Sequence, residues 1–262
     1  SSRCGRRVLM GKHGPGRRSK VGLRSHLSAN IRDETFRWYG RRRGHKLRPG
    51  RQALIKTLLP RLRLELPPAG ATLDFEGAFE RSVSEVWLEV GFGAGEHLAA
   101  QAGARPDIGF IGCEPFNNGI AGLLSLIKSE GITNVRVFDD DARKLLPCLP
   151  EASIGRIYAL FTDPWPKKKH HRRRFIGDQT VGELARVLAD GGELRLASDH
   201  GGYVEWMLER VARHPDFSFP AQSKGDWTDP PADWVETRYE RKARKQGLKP
   251  VYLRFLRRSR TI

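Results

Sequence analysis

The sequence predicts an α/β fold: a mostly parallel sheet with helices on both faces. Three observations carry this. From residue 84 onward, short β-prone apolar runs alternate with segments whose apolar residues recur at helical spacing. The first run leads directly into a glycine-rich turn, Gly91–Gly95. Acidic residues then stand at the ends of successive runs, where sheets of this kind bind their ligands.

Residues 1–30 are rich in Gly, Arg and Ser, lack periodicity and read as a flexible basic tail. Tyr39–Arg51 (YGRRRGHKLRPGR) is basic and dotted with turn residues. Ala53, Leu54, Leu58, Leu59 and Leu62 predict a short helix that docks on the main domain, and Pro67, Pro68 and Gly70 mark a linker. The expected organisation is a basic flexible tail over 1–37, a basic segment with the docking helix over 38–70, and the main domain over 71–262. Within it, Val86–Val90 is the first strand and residues 96–104 a small-residue helix. Ile108–Cys113 is the second strand, followed by a helix burying Phe116, Ile120, Leu123, Leu124 and Ile127. Val135–Phe138 is the third, with a short helix around Arg143–Leu149. Ile157–Phe161 is the fourth, ending at Thr162-Asp163-Pro164-Trp165. Val181, Leu184, Ala185 and Leu188 face one side of the next helix; Glu193–Ala197 is the fifth strand. Val204, Met207, Leu208 and Val211 mark a further helix, and Val251–Phe255 a late strand.

The net charge of +17 is unevenly placed. Residues 1–63 hold 19 Lys/Arg against Asp33 and Glu34, while the remainder holds 28 Lys/Arg against 28 acids. Two further basic blocks, 167–174 and 238–260, leave the rest of the body acidic. Three basic blocks beside an enzyme core predict a positive face for a polyphosphate chain such as RNA. No apolar run approaches the ~18 residues that span a membrane, and the Arg-rich start has no apolar core of a secretory signal. The absence of an initiator Met suggests processing or trimming. Cys4, Cys113 and Cys148 have neither metal nor redox spacing and read as free thiols of a cytoplasmic protein.

The chemistry concentrates at strand ends. Gly91, Gly93 and Gly95 let the backbone turn sharply and approach a ligand. A pyrophosphate-binding loop would be ill served by Glu96 at the following helix start. Glu89, before the turn, suits a ligand amino group; Glu114 is placed for ribose hydroxyls and Asp139–Asp141 for an adenine amine. S-adenosylmethionine meets these conditions together. At the fourth strand, Asp163 would face the transferred methyl, Trp165 offers a stacking plane, and Lys167 opens a basic run. His170-His171 has neither partners nor spacing for a metal, and none is expected.

LEVGFGAGEH, TDPWPKKKHHRRRF and TRYERKA, with the basic segment GRRRGHKLRPGRQ, together resemble the bacterial tRNA (guanine-N7)-methyltransferases over about residues 38–256. The resemblance implies a Rossmann-like class I methyltransferase fold with a seven-stranded sheet, S-adenosylmethionine as cofactor and tRNA as partner; nothing in the sequence calls for a protein partner. It implies cofactor contacts from Glu89, Glu114, Asp141 and Ala142, and Asp163 as the catalytic residue that also lines the cofactor pocket. It implies substrate contacts from Lys167, Asp199, Thr237, Arg238 and Glu240. This chain reads Glu114-Pro115-Phe116 where many relatives have Glu-Val-His, Ser198-Asp199-His200 where Thr-Asp-Trp/Tyr is usual, and TRYE in place of TKFE. Three alternatives stand beside this reading: a methyltransferase of the same fold for another RNA or a protein, a catalytically silent RNA-binding subunit, and a nicotinamide-dependent oxidoreductase, which Glu96 disfavours.

Overall fold

A computed structural model describes residues 40–261; the expected tail over 1–37 and Cys4 lie outside them. Helices α1 (Pro49–Thr57), α2 (Leu59–Leu62) and α3 (Phe75–Ala78) precede the alternating part of the chain. There follow β1 (Glu85–Val90), α4 (Glu96–Ala104), β2 (Ile108–Cys113), α5 (Asn117–Glu130), β3 (Val135–Phe138) and α6 (Ala142–Leu145). Then come β4 (Ile154–Leu160), α7 (Asp178–Val187), β5 (Leu188–Ser198) and α8 (Gly201–Arg213). β6 (Phe217–Ser218), α9 (Gly225–Thr228), α10 (Arg238–Lys245) and β7 (Val251–Arg257) complete the order.

The sheet runs β3-β2-β1-β4-β5-β7-β6. Strands β1 to β5 are parallel, and β7 lies antiparallel between β5 and β6. The chain moves outward from β1 through β2 to β3, then returns to β4 on the other side of β1. That reversal opens a crevice beyond the carboxyl ends of β1 and β4.

Strand alternation sorts the core. Val86, Leu88 and Val90 join the apolar layer under α7 and α8, with Leu184, Met207 and Val211. Trp87 faces the other layer, with Leu98 of α4 and Ile120, Leu123 and Ile127 of α5. Leu59 and Leu62 are buried in that second layer, Arg63 bridges Val137, and α1 packs on α5.

The helix expected across Ala53–Leu62 breaks into α1 and α2, because Pro60 has no N–H to donate to a preceding carbonyl. β4 begins at Ile154 and stops at Leu160, since Phe161 adopts φ 52° and leaves the extended region. Leu188, expected on a helix, begins β5. β6, α9 and α10 have no counterpart among the expected elements: two are very short, and α10 is mostly charged. No described helix is long and apolar enough to cross a membrane.

Candidate functional site

A cavity of about 550 Å³ opens at the switch in strand order. Its wall includes Gly91 and Gly93 after β1, Glu114 after β2, Asp141 and Ala142 after β3, and Asp163 after β4. The three turn glycines have φ of 71°, 58° and 84°, a region that side chains rarely adopt. Gly93 is also covered: a Cβ there would sit 3.0 Å from Cε2 of Tyr239. Gly95 has another task and is not on the wall. Its missing side chain admits Leu123 of α5, whose Cβ would lie 2.7 Å from an added Cβ.

The acids divide by partner. Glu114 is buried; its Oε2 accepts from the Gly93 N–H at 3.0 Å and its Oε1 from the Phe116 N–H at 2.9 Å. Burial pushes its carboxyl up to about 7, against the two backbone donors that pull it down; the nearby Asp163 adds to the rise. Asp141 caps α6 by accepting from the Arg143 N–H at 3.0 Å and also holds the Arg143 guanidinium. Asp139 pairs with Arg63 at 2.7 Å, and Asp140 with Arg42 and Lys144 at 2.6 Å each. Asp163 makes no hydrogen bond or ion pair among the described residues. It stays open to the cavity, yet the protein crowded around it raises its pKa by desolvation. Its surface exposure and this desolvation describe one position, a carboxylate in a recess.

Glu89, expected to meet a ligand amino group, has an internal partner. It is absent from the cavity wall, and its Oε2 lies 2.7 Å from His97 Nδ1. The reason is the two-residue period of β1: Glu89 shares the face of Trp87 and so points at α4, where His97 is buried.

The segment after β4 is strained and braced. Phe161 and Trp165 have φ of 52° and 42°, unusual for side-chain-bearing residues and clustered around Asp163. Thr162 Oγ1 meets the buried Tyr203 hydroxyl at 3.0 Å. Arg174 is buried rather than solvated; its Nε–H donates to the Pro164 carbonyl at 2.8 Å, and its guanidinium stacks near Trp206. The Arg173 guanidinium lies 4.9 Å from the Trp165 ring, and the His170 ring meets that ring edge-on. Lys167 is exposed at the start of a 3-10 turn, Lys168–Arg173. Asp199 is half-buried after β5. Neither belongs to the cavity wall.

Helix α10 gives two of the expected substrate contacts internal partners. Thr237 is its N-cap, accepting from the Glu240 N–H at 3.1 Å, so its hydroxyl serves the helix. Glu240 is wholly buried and accepts from Trp234 Nε1 at 2.6 Å, the Tyr252 hydroxyl at 2.5 Å and Arg244 at 2.8 Å. Neither of these substrate candidates faces the cavity. The residues between them do reach open space. Tyr239, half exposed, lines the cavity, and Arg238 lines a neighbouring one. Sequence reasoning missed Tyr239, although T-x-x-E is an N-cap signature that places the two middle residues on an exposed first turn. Among the described residues, no group of three or more His, Cys, Asp or Glu side chains is arranged to hold a metal.

Residues 84–253 match the family model described as a putative methyltransferase. A tRNA (guanine-N(7)-)-methyltransferase of Rhodospirillum rubrum is 52% identical over 229 residues, covering 87% of this chain and 90% of that one. One of Nitrobacter hamburgensis is 50% identical over 222 residues, 85% of this chain and 87% of that one. The crystal structure of the 16S rRNA methyltransferase KamB aligns with a TM-score of 0.54 at 16% identity, over 75% of this chain and 96% of that one, a likeness of fold. The sheet is accordingly that of the Rossmann-like class I methyltransferases. Identities near one half over more than four fifths of the chain place it in the tRNA (guanine-N(7)-)-methyltransferase family.

Proposed function

We propose that this chain transfers a methyl group from S-adenosylmethionine to N7 of a guanine in the variable loop of tRNA, forming 7-methylguanosine, in the cytoplasm. The observation that carries this reading is Asp163. It is the cavity carboxylate that has no partner among the described residues, at the switch point, beside a glycine turn and a buried acid.

The wall residues fit the cofactor by their chemistry. Glu114, fixed by two backbone N–H groups, presents its remaining lone pairs to ribose hydroxyls. Asp141 and the Ala142 backbone would meet adenine, and Gly91 and Gly93 leave room for the amino-acid portion. When bound, S-adenosylmethionine supplies an electrophilic methyl on a cationic sulfonium. N7 of neutral guanine bears a lone pair and no proton, so no residue need act as general base. The work left to the protein is to orient the base and to stabilise the positive charge that reaches its ring. Asp163, open to the cavity, can accept from guanine N–H donors and offset that charge. Trp165, with Arg173 against it, and Tyr239 provide planes at the mouth for a base turned out of its stack. The test is transfer of labelled methyl to unmodified tRNA with mapping of the modified position. Transfer to another base atom, or none, would overturn the reading.

Glu114 adds a prediction with a pH signature. Its folded pKa of about 7 lies above the ordinary 4.5, so without ligand it keeps its proton across that interval. Its contribution to folding stability therefore declines as pH rises through the same window. Ribose hydroxyls donate more strongly to the carboxylate than to the neutral acid. Cofactor affinity should rise with pH up to about 7 and then level off. Glu114→Ala should weaken cofactor binding about tenfold to a hundredfold, the loss of hydrogen bonds to a charged acceptor, and remove the pH dependence. Calorimetry with the isolated cofactor between pH 5.5 and 8.5 measures both. An unchanged profile in the variant would detach Glu114 from the cofactor.

A further inference from the structure

A second cavity of about 740 Å³ adjoins the first, sharing Arg41, Gly93, Phe116 and Tyr239 as the partition. Its lining is cationic: Arg41, Arg43, Arg51 and Arg238 stand against one acid, Glu96. None of the four arginines forms a salt bridge among the described residues. This is selective. Arg42, between Arg41 and Arg43, turns the other way to Asp140, and Arg63 is taken by Asp139. The segment is pinned in this pose: the Gly44 N–H donates to Asn118 Oδ1 at 3.0 Å, and Asn118 Nδ2 donates to the His45 carbonyl at 2.8 Å. The lining is partly bare backbone, because α5 crosses the glycine turn at contact distance. A Cβ on Gly119 would lie 2.1 Å from the Gly93 carbonyl oxygen.

Uncompensated guanidinium groups held around one recess repel each other unless an anion joins them. Their flat forked donors match phosphate oxygens. We propose that this second cavity takes phosphodiester groups of the RNA strand next to the target nucleoside, with Arg43, Arg51 and Arg238 as their cationic partners. The inference rests on the methyltransferase reading above. An RNA backbone is favoured over a separate anion because the two cavities share a wall that ends in Tyr239. A base placed against Tyr239 in the first cavity would carry its adjoining phosphates into the second.

The test is a double variant, Arg43→Ala with Arg51→Ala, since these two line the second cavity and not the first. Binding to unmodified tRNA is measured by filter retention across 50–300 mM salt, with KM for tRNA and cofactor affinity alongside. Two lost phosphate contacts should flatten the slope of log K against log salt by about 1.4–1.8 and weaken tRNA binding by roughly tenfold or more at the lowest salt. Cofactor affinity should match wild type. Arg43→Lys with Arg51→Lys keeps both charges and should keep the slope. A wild-type slope in the alanine variant overturns the proposal. So does a loss of cofactor affinity, which would assign the cavity to the cofactor, or an equal loss of slope in the lysine variant. Failure of the enzyme reading is seen separately, as absence of methyl transfer to N7 by the wild-type chain, because the slope comparison needs only RNA binding.

Discussion

Asp163→Ala is expected to slow methyl transfer by about 100- to 1000-fold at saturating cofactor and tRNA, as removing one preorganised charge-stabilising group does in other enzymes. The carboxylate has no partner to lose among the described residues, so the fold should not suffer. The variant should melt at or slightly above wild type, because desolvation disfavours its charge in the native state. Asp163→Asn separates its two jobs. The amide retains one acceptor for guanine N–H groups but not the negative charge that offsets the cationic ring. A loss as large as in the alanine variant assigns the effect to charge; a partial loss assigns part of it to hydrogen bonding. Single-turnover rates with bound cofactor, taken with thermal melts, decide this. Turnover within tenfold of wild type in folded Asp163→Ala would remove Asp163 from the chemistry.

The legibility of this molecule follows from which residues act alone and which act through neighbours. The α/β alternation was readable because each strand buries both faces and each crossover helix buries one, leaving two different periods in the sequence. β2 and β3 appear with their expected limits. Glu114 could be placed on the cavity wall from order alone, since a residue one step past a parallel strand lies at the crevice. Glu89 could not, because it lies inside β1, where the side of the sheet decides its partner, and that side carries His97. The basic run after Trp165 was only half legible. Lys167 is a surface cation, while Arg174, three residues from the start of α7's cap, is buried and ties the Pro164 carbonyl. A run of like charges conceals such an anchor, because burial of a guanidinium depends on carbonyls and rings from distant segments. The pairing of Arg42 with Asp140 across 98 positions is hidden for the same reason.

Glu240, a substrate contact by resemblance, is buried among internal donors, and its replacement has a large expected effect on stability. Its carboxylate gathers Trp234 Nε1 and the Tyr252 hydroxyl. Burial first, and then this bond, pushes the Tyr252 hydroxyl up to about 12, so it remains a protonated donor throughout the working range. Glu240→Ala leaves Trp234 Nε1 and the Tyr252 hydroxyl without their acceptor, frees the more exposed Arg244, and opens space beneath α10. At about 1–3 kcal/mol for each of the two unsatisfied donors, the cost is roughly 2–6 kcal/mol. For a chain of this size that corresponds to a fall in Tm of about 5–15 °C. Since α10 carries Arg238 and Tyr239 to the two cavities, tRNA affinity should fall along with stability, and Glu240→Gln, which keeps one acceptor, should recover part of both. A residue that simply touches guanine would behave differently: alanine there raises KM or lowers the rate with an unchanged melt. Thermal denaturation and steady-state kinetics on the two variants distinguish these outcomes. A Glu240→Ala protein that melts with wild type yet fails to use tRNA would return Glu240 to the substrate and would mean that α10 rearranges when RNA binds.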